Sequence, residues 1–315
     1  MKRILPIFLL FATVAFAQFP WSGKAPQEIE QAALLPDCVL DESPSNWRPV
    51  LQKIFQPLVK DCKTAREAAL TIAANMTQAT GVYYSRERRH PLMNPLEALA
   101  EKKVSCTGQS ILLVCALRSI GIPARAVGIG TWGHIRGNHT WCEVWCDGGW
   151  NMLEFNEKEF NTPWVMEYVG LINPQISFQR IYAVSPQSKD AFFPAVWNPW
   201  SHIAAEDVTE RYLELSRRWY EKAGLPPHTQ RILIDVLPRT DAPRLIILEN
   251  EQGEELAQAP LPTTREDMRR SATLNLPRKG QFYLRIQGSK QRLPISPTPT
   301  PVQNIILDTA PDNKN

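Results

Sequence analysis

The chain has 315 residues, 43% of them hydrophobic, and a formal net charge of +3 at pH 7. This length suggests two domains, and this apolar content excludes wholesale disorder. The charge is small and scattered, which argues against nucleic acid as a partner. The one dense basic run, Arg86-Glu-Arg-Arg-His90, is broken by an acid and reads as a solvated loop, with a basic rim facing substrate as the lesser reading.

Residues 1–17, MKRILPIFLLFATVAFA, have the three parts of a signal peptide. Lys2 and Arg3 start it, Ile4 to Phe16 is apolar, and Ala15-Phe-Ala17 is a small-x-small cleavage site. The apolar run falls short of the roughly 20 residues needed to span a bilayer. No later segment is long and apolar enough to do so. The expectation is an exported, soluble protein, periplasmic or secreted.

Export permits disulfides. The six cysteines are Cys38, Cys62, Cys106, Cys115, Cys142 and Cys146. Cys142 and Cys146 lie four apart in an expected strand, ~13 Å at the usual rise, beyond disulfide reach. Cys38 with Cys62 is a possible pair. The cysteines and histidines show no zinc-ligand spacing, so neither metal nor cofactor is expected.

Residues 18–46 are rich in Pro, Gln and Ala and read as an N-terminal arm. From Trp47 to Thr80 the pattern is helical, with Thr64-Ala-Arg-Glu67 resembling a capping box. Asn94-Pro-Leu-Glu97 opens a second short helix. Then comes KKVSCTGQSILLVCALRSIGIPARAVG, residues 102–128. Its apolar groups surround most of a helix, which marks it as buried rather than amphipathic. Gly121 can end that helix in a left-handed cap, and Pro123 prevents its return. Ala124 to Thr131 and His139 to Cys146 read as strands, and Asp147-Gly148 as a hairpin turn before another. The class is α+β. EDVTERYLELSRRWYEKA, residues 206–223, is helical, with Val208, Tyr212, Leu215 and Trp219 on one side. Beyond it, RILIDVL, RLIILENEQGEEL, SATLNL, GQFYLRI and QNIILDT are short strands split by Gly, Pro and Asn. They predict a small all-β sandwich over 226–315, with LPISPTPTP as a surface loop before the last strand.

Cys106 stands at the start of the buried helix. A thiol attacks only as thiolate, and a helix N-terminus favours that anion. Small neighbours Ser105, Thr107 and Gly108 leave room for a carbonyl and for backbone donors to an oxyanion. A nucleophilic thiol also needs a base. His139 begins a strand on which Trp141, Glu143 and Trp145 share its face. His134, in the preceding loop, is its rival. A third group should orient the imidazole, and an acceptor at Nδ1 would do so. Glu154, Asn156 and Glu157 are the candidates. Asn94 is a candidate oxyanion donor, and Trp132 and Trp141 are candidate walls of an acyl-binding groove.

These residues carry a family resemblance. Cys106 ahead of ILLVCALRSIGIPAR, then HTWCEVW, then DGGWNMLE, in that order, resembles the transglutaminase-like superfamily core, a papain-like fold. The resemblance covers about residues 47–215. SCTGQSILLV, RGNHTWCEVW, RIYAVS, FPAVW and DVTERY further resemble a secreted bacterial branch that carries a C-terminal β-sandwich. It implies a catalytic domain over 47–225, with Cys106 as nucleophile and His139 as base. The general pattern puts the acid four residues after Trp150, at Glu154; the bacterial branch puts it seven after, at Glu157. The implied activity is acyl transfer on peptide or glycopeptide amides through a thioester, as a protease or amidase. Amine-dependent cross-linking and a non-catalytic glycan- or protein-binding module are the alternatives.

Overall fold

A computed structural model of the protein describes residues 19–133, 137–189, 191–223, 229–266, 270–298 and 302–308. The expected signal peptide and His134 lie outside them. The chain divides into two compact units, one running to Trp219 and one from Tyr220.

The first unit begins with α1 (Gln27–Ala33), α2 (Arg48–Phe55) and a 3-10 turn at Gln56–Val59. There follow α3 (Ala65–Ala74), α4 (Met76–Thr80), β1 (Tyr83–Tyr84), α5 (Pro95–Glu101), β2 (Lys103–Val104) and α6 (Cys106–Ser119). The strands β3 (Ala124–Ile129), β4 (His139–Cys146) and β5 (Gly149–Leu153) come next, then α7 (Pro163–Val169), β6 (Ile181–Val184), β7 (Ala191–Phe192), β8 (Ala204–Asp207) and α8 (Thr209–Ala223). Six strands form one sheet in the order β5-β4-β3-β6-β8-β7, antiparallel throughout.

Local chemistry sets the helix starts. Thr64 Oγ1 accepts the Glu67 N–H, but the Glu67 carboxylate reaches Lys63 N–H rather than closing the box on Thr64. Asn94 and Glu97 make the full reciprocal box at α5. Ser105 caps α6, its Oγ accepting Gly108 N–H at 2.9 Å and donating to Pro91 O at 2.6 Å. Gly121, at φ 79°, turns the chain out of α6. The β4–β5 turn at Asp147-Gly148 has both residues left-handed, at φ 54° and 77°, which matches the twist of a two-residue hairpin.

All of α6 except Gln109 is buried. Thr140, Cys142, Val144 and Cys146 alternate out of β4, and the last three join the core around α6. Leu51 and Phe55 from α2 and Ala68, Ala69, Ile72 and Ala73 from α3 complete that core.

The expected N-terminal arm is not loose. Trp21 Nε1–H donates to Ile120 O at 2.9 Å, satisfying a carbonyl at the C-terminal end of α6. Arg118, buried within α6, donates from Nε to Ala33 O and Ala124 O and from Nη1 to Pro36 O and Cys38 O, all at 2.9–3.1 Å. One guanidinium thus binds the segment over Ala33–Cys38 to the nucleophile's helix. The possible Cys38–Cys62 disulfide is absent. Cys38 Sγ donates to Glu42 O, and Cys62 Sγ lies 3.7 Å from Thr71 Oγ1.

The second unit holds two sheets, β11-β10-β13-β14 and β12-β9-β15. These are β9 (Thr229–Leu237), β10 (Arg244–Glu249), β11 (Glu255–Leu261), β12 (Ala272–Pro277), β13 (Phe282–Ile286), β14 (Leu293–Ile295) and β15 (Val302–Asp308). Ile232 and Ile234 of one sheet and Ile246, Leu248 and Leu284 of the other share one core, which makes a sandwich. One detail departs from expectation: the start of LPISPTPTP is strand β14 rather than loop. The last strand, β15, runs parallel to β9. Among the described residues no helix is long and apolar enough to cross a membrane.

Arg118→Met keeps length and apolar bulk but takes this donor from four carbonyls, two of them in buried contacts and two half-buried. It should destabilise the first unit by about 3 kcal/mol or more in urea unfolding. A loss below ~1 kcal/mol would show that the N-terminal segment is held by other contacts.

Candidate active site

Cys106 occupies the first helical position of α6 and is 7% exposed. Gly108 and Gln109 N–H groups are taken by Ser105 Oγ and Ser105 O. The N–H groups of Cys106 and Thr107 have no acceptor within the helix, as expected for its first positions. The positive end of the helix dipole favours an anion there.

Two contacts bind this helix end to the start of β4. Thr107 Oγ1 lies 3.1 Å from Thr140 Oγ1. The Ser110 hydroxyl lies 2.9 Å from Cys106 O and 2.8 Å from Thr140 O. Thr140 follows His139 in the chain, so cysteine and histidine stand at the same end of the helix–strand interface. Thr107 is thereby occupied in packing, and its side chain does not serve as a groove residue.

His139 is 4% exposed. Its Nε2 lies 2.5 Å from Glu154 Oε1. The other carboxylate oxygen, Oε2, accepts Trp164 Nε1–H at 2.9 Å. Glu154 is itself 9% exposed, just past the end of β5, where β4–β5 pairing sets it diagonally across from His139. The acid therefore meets Nε2, not Nδ1 as expected. Glu157 follows three residues on, and its N–H donates to Glu154 O. Asn156, left-handed at φ 67°, is turned the other way. Its side chain exchanges hydrogen bonds with Thr77, and its N–H donates to Ala73 O of α3.

Three indoles surround the imidazole. Ring centroids lie 4.9 Å from Trp164, 5.8 Å from Trp141 and 6.2 Å from Trp132. Trp132 stacks on Trp141 at 6.1 Å and 9°, and Tyr168 stands edge-on to Trp132 and Trp164. Trp132 and Trp141 are fully packed, so they are the floor beneath the histidine rather than open groove walls. In such dry surroundings the contact between ring and carboxylate is electrostatically stronger than it would be in water.

Asn94 is engaged as the cap of α5. Its Oδ1 accepts Leu96 and Glu97 N–H, and its Nδ2 donates to Ser43 Oγ. Sequence reasoning missed Trp164 and Tyr168, which lie outside the quoted motifs, and Ser110, which lies within SCTGQSILLV but was given no role. Pro163 after Thr162 marked a helix start at α7, the one available signal. Among the described residues no three His, Cys, Asp or Glu side chains are grouped to hold a metal.

Residues 52–155 match the family model for the transglutaminase-like superfamily. This stretch is a transglutaminase-like superfamily core. It holds α3 to β5 and contains Cys106, His139 and Glu154. Among curated proteins none matches the sequence. Solved structures give partial likenesses. A candidate cysteine protease of Cytophaga hutchinsonii is 17% identical with TM-score 0.35, over 44% of this chain and 46% of that one. The periplasmic domain of TgpA from Pseudomonas aeruginosa, bound to ethylmercury, is 16% identical with TM-score 0.29, over 36% and 45%. Red sea bream transglutaminase is 11% identical with TM-score 0.39, over 86% and 64%. The chain spans about half the length of the first two.

Three other cysteines of the transglutaminase-like core, Cys115, Cys142 and Cys146, are poor nucleophiles. Burial pushes the Cys115 and Cys142 thiols far above their ordinary range, and burial with Asp147 pushes Cys146 up to about 11. Iodoacetamide at neutral pH should therefore label Cys106 at least ~100-fold faster than Cys115 or Cys142, by peptide mass spectrometry. His139→Ala should slow Cys106 alone. Equal rates at Cys106 and Cys115 in the folded protein would remove the case for an activated thiol.

Proposed function

We propose that the protein is an exported cysteine-dependent acyl-transfer enzyme that hydrolyses peptide or glycopeptide amides. The observation that supports this reading best is the His139–Glu154 hydrogen bond, set beside a cysteine that starts a helix. A carboxylate fixed on Nε2 selects one tautomer and directs Nδ1 to the reaction.

In this reading Cys106 gives its proton to Nδ1 of His139 and attacks the amide carbonyl carbon as thiolate. The oxyanion is met by the Cys106 and Thr107 N–H groups at the start of α6. The carbon–nitrogen bond then breaks, its electron pair goes to nitrogen, and imidazolium protonates the departing amine. A thioester remains on Cys106. Water, deprotonated by His139, attacks that thioester, the carbon–sulfur bond breaks, and acid and free thiol result. Glu154 stabilises the imidazolium in both halves without taking the proton itself. Hydrolysis is favoured over cross-linking because water requires no second binding site.

The experiment is a peptide-library digest by the mature protein beside Cys106→Ala, read by mass spectrometry. New termini that vanish with Cys106→Ala support the hydrolase. Products that need an added primary amine, with a glutaminyl peptide, indicate cross-linking. Absence of both, with tight peptide retention, indicates a binding module.

Glu154→Gln keeps a hydrogen bond but loses the charge, and kcat should fall by roughly 10²–10⁴-fold, as when an orienting acid of a catalytic histidine is neutralised. Glu157→Gln should change kcat less than ~3-fold, because Glu154 already meets His139 Nε2. The reverse ranking would move the third role to Glu157.

A further inference from the structure

The strand face that carries His139 continues inward through Trp141 to Glu143. Behind Trp141 lies a buried chain of hydrogen bonds that the proposed chemistry does not use. Trp141 Nε1–H donates to Tyr212 Oη at 2.6 Å, and Tyr212 O–H donates to Glu143 Oε1 at 2.8 Å. Glu143 Oε2 accepts Arg125 Nε at 2.9 Å and pairs with Arg125 Nη2 at 2.8 Å, while Arg211 pairs with Oε1. Tyr212 stands edge-on against Trp141 at 5.4 Å.

The polarity of this chain allows one arrangement. An indole N–H can only donate, and an ionised carboxylate can only accept. Burial alone would raise the Glu143 carboxyl, but Arg125 and Arg211 hold it below the ordinary carboxylate range. Burial, with Glu143 beside it, pushes the Tyr212 phenol well above its ordinary value, so it keeps its one proton. That proton goes to Glu143, and the oxygen's lone pair goes to Trp141.

The hydroxyl is not what anchors α8. Ser216 Oγ donates to Met166 O at 2.6 Å, Thr209 Oγ1 accepts Ile181 N–H at 2.9 Å, and Val208 N–H donates to Ile181 O at 2.9 Å. What the hydroxyl does set is the plane of an indole stacked 25° from the imidazole of His139. Resting on the enzymatic reading above, we propose that Tyr212 is a positioning residue for His139, acting through the ring of Trp141.

The test uses the full chain with ¹⁵N-labelled histidine, and compares wild type, Tyr212→Phe, Trp141→Phe and the double variant. Tyr212→Phe should move the His139 ring resonances and leave those of His90 and His202 in place. On a cleavable peptide it should lower kcat about tenfold, with KM within about twofold, because misplaced groups cost turnover more than binding. In the Trp141→Phe background, which already lacks the indole donor, adding Tyr212→Phe should lower kcat by less than about twofold further. Unmoved His139 resonances in folded Tyr212→Phe, or kcat losses that simply multiply, would overturn the proposal. Should Tyr212→Phe not fold, unmoved His139 resonances in Trp141→Phe would overturn it equally. Wild type without turnover, with His139 resonances that still respond to Tyr212→Phe, would sink the enzymatic reading and keep the positioning. Active wild type with unresponsive resonances would do the reverse.

Discussion

Burial of α6 constrains everything else in the first unit. A helix apolar on nearly every side must be covered on every side. Sheet strands β3 and β4 cover one flank, α2 and α3 another, and the N-terminal segment covers the far end through Trp21 and Arg118. Only the first turn, at Cys106, is left with unpaired N–H groups near a surface. The covering that makes the helix stable leaves its N-terminus as the end where polar groups remain unpaired within the helix.

The site around that turn is assembled from small tethers. Ser110 holds the carbonyls of Cys106 and Thr140, and Thr107 meets Thr140. Glu154 spends both oxygens, one on His139 and one on Trp164, so its carboxylate has little freedom left. The tryptophans add no charge, yet they exclude water and let one carboxylate govern one imidazole. Glu143 repeats the pattern a layer deeper, where two arginines and a phenol satisfy a carboxylate that burial alone would neutralise.

Stability and pH are linked through that deeper layer. The folded-state pKa of Glu143 is lowered, so its contribution is complete above the ordinary carboxylate value and is lost as pH falls through the folded value. The aromatic floor and the histidine above it therefore share an acid limit, set by a residue that takes no part in the proposed chemistry.

Period and punctuation in the sequence determined a good deal. A helix apolar all round had to be buried, Gly121 and Pro123 had to end it, and Asp147-Gly148 had to close a hairpin, since each follows from local sterics. The alternation from His139 to Cys146 divided β4 into a core face and a site face for the same reason. Of two acids three residues apart, the resemblance favoured Glu154 with Glu157 as the alternate, and spacing alone did not separate them. The choice fell to the end of β5, where cross-strand pairing sets Glu154 beside His139 and α7 brings Trp164 to its other oxygen. Asn94 caps its own helix through Oδ1 and reaches Ser43 through Nδ2, a partner 51 residues away. Ser110 meets Thr140, 30 residues on, and Tyr212 meets Trp141 and Glu143, 71 and 69 residues back. Contacts between distant segments depend on how helices and sheet pack together, and no local pattern records that.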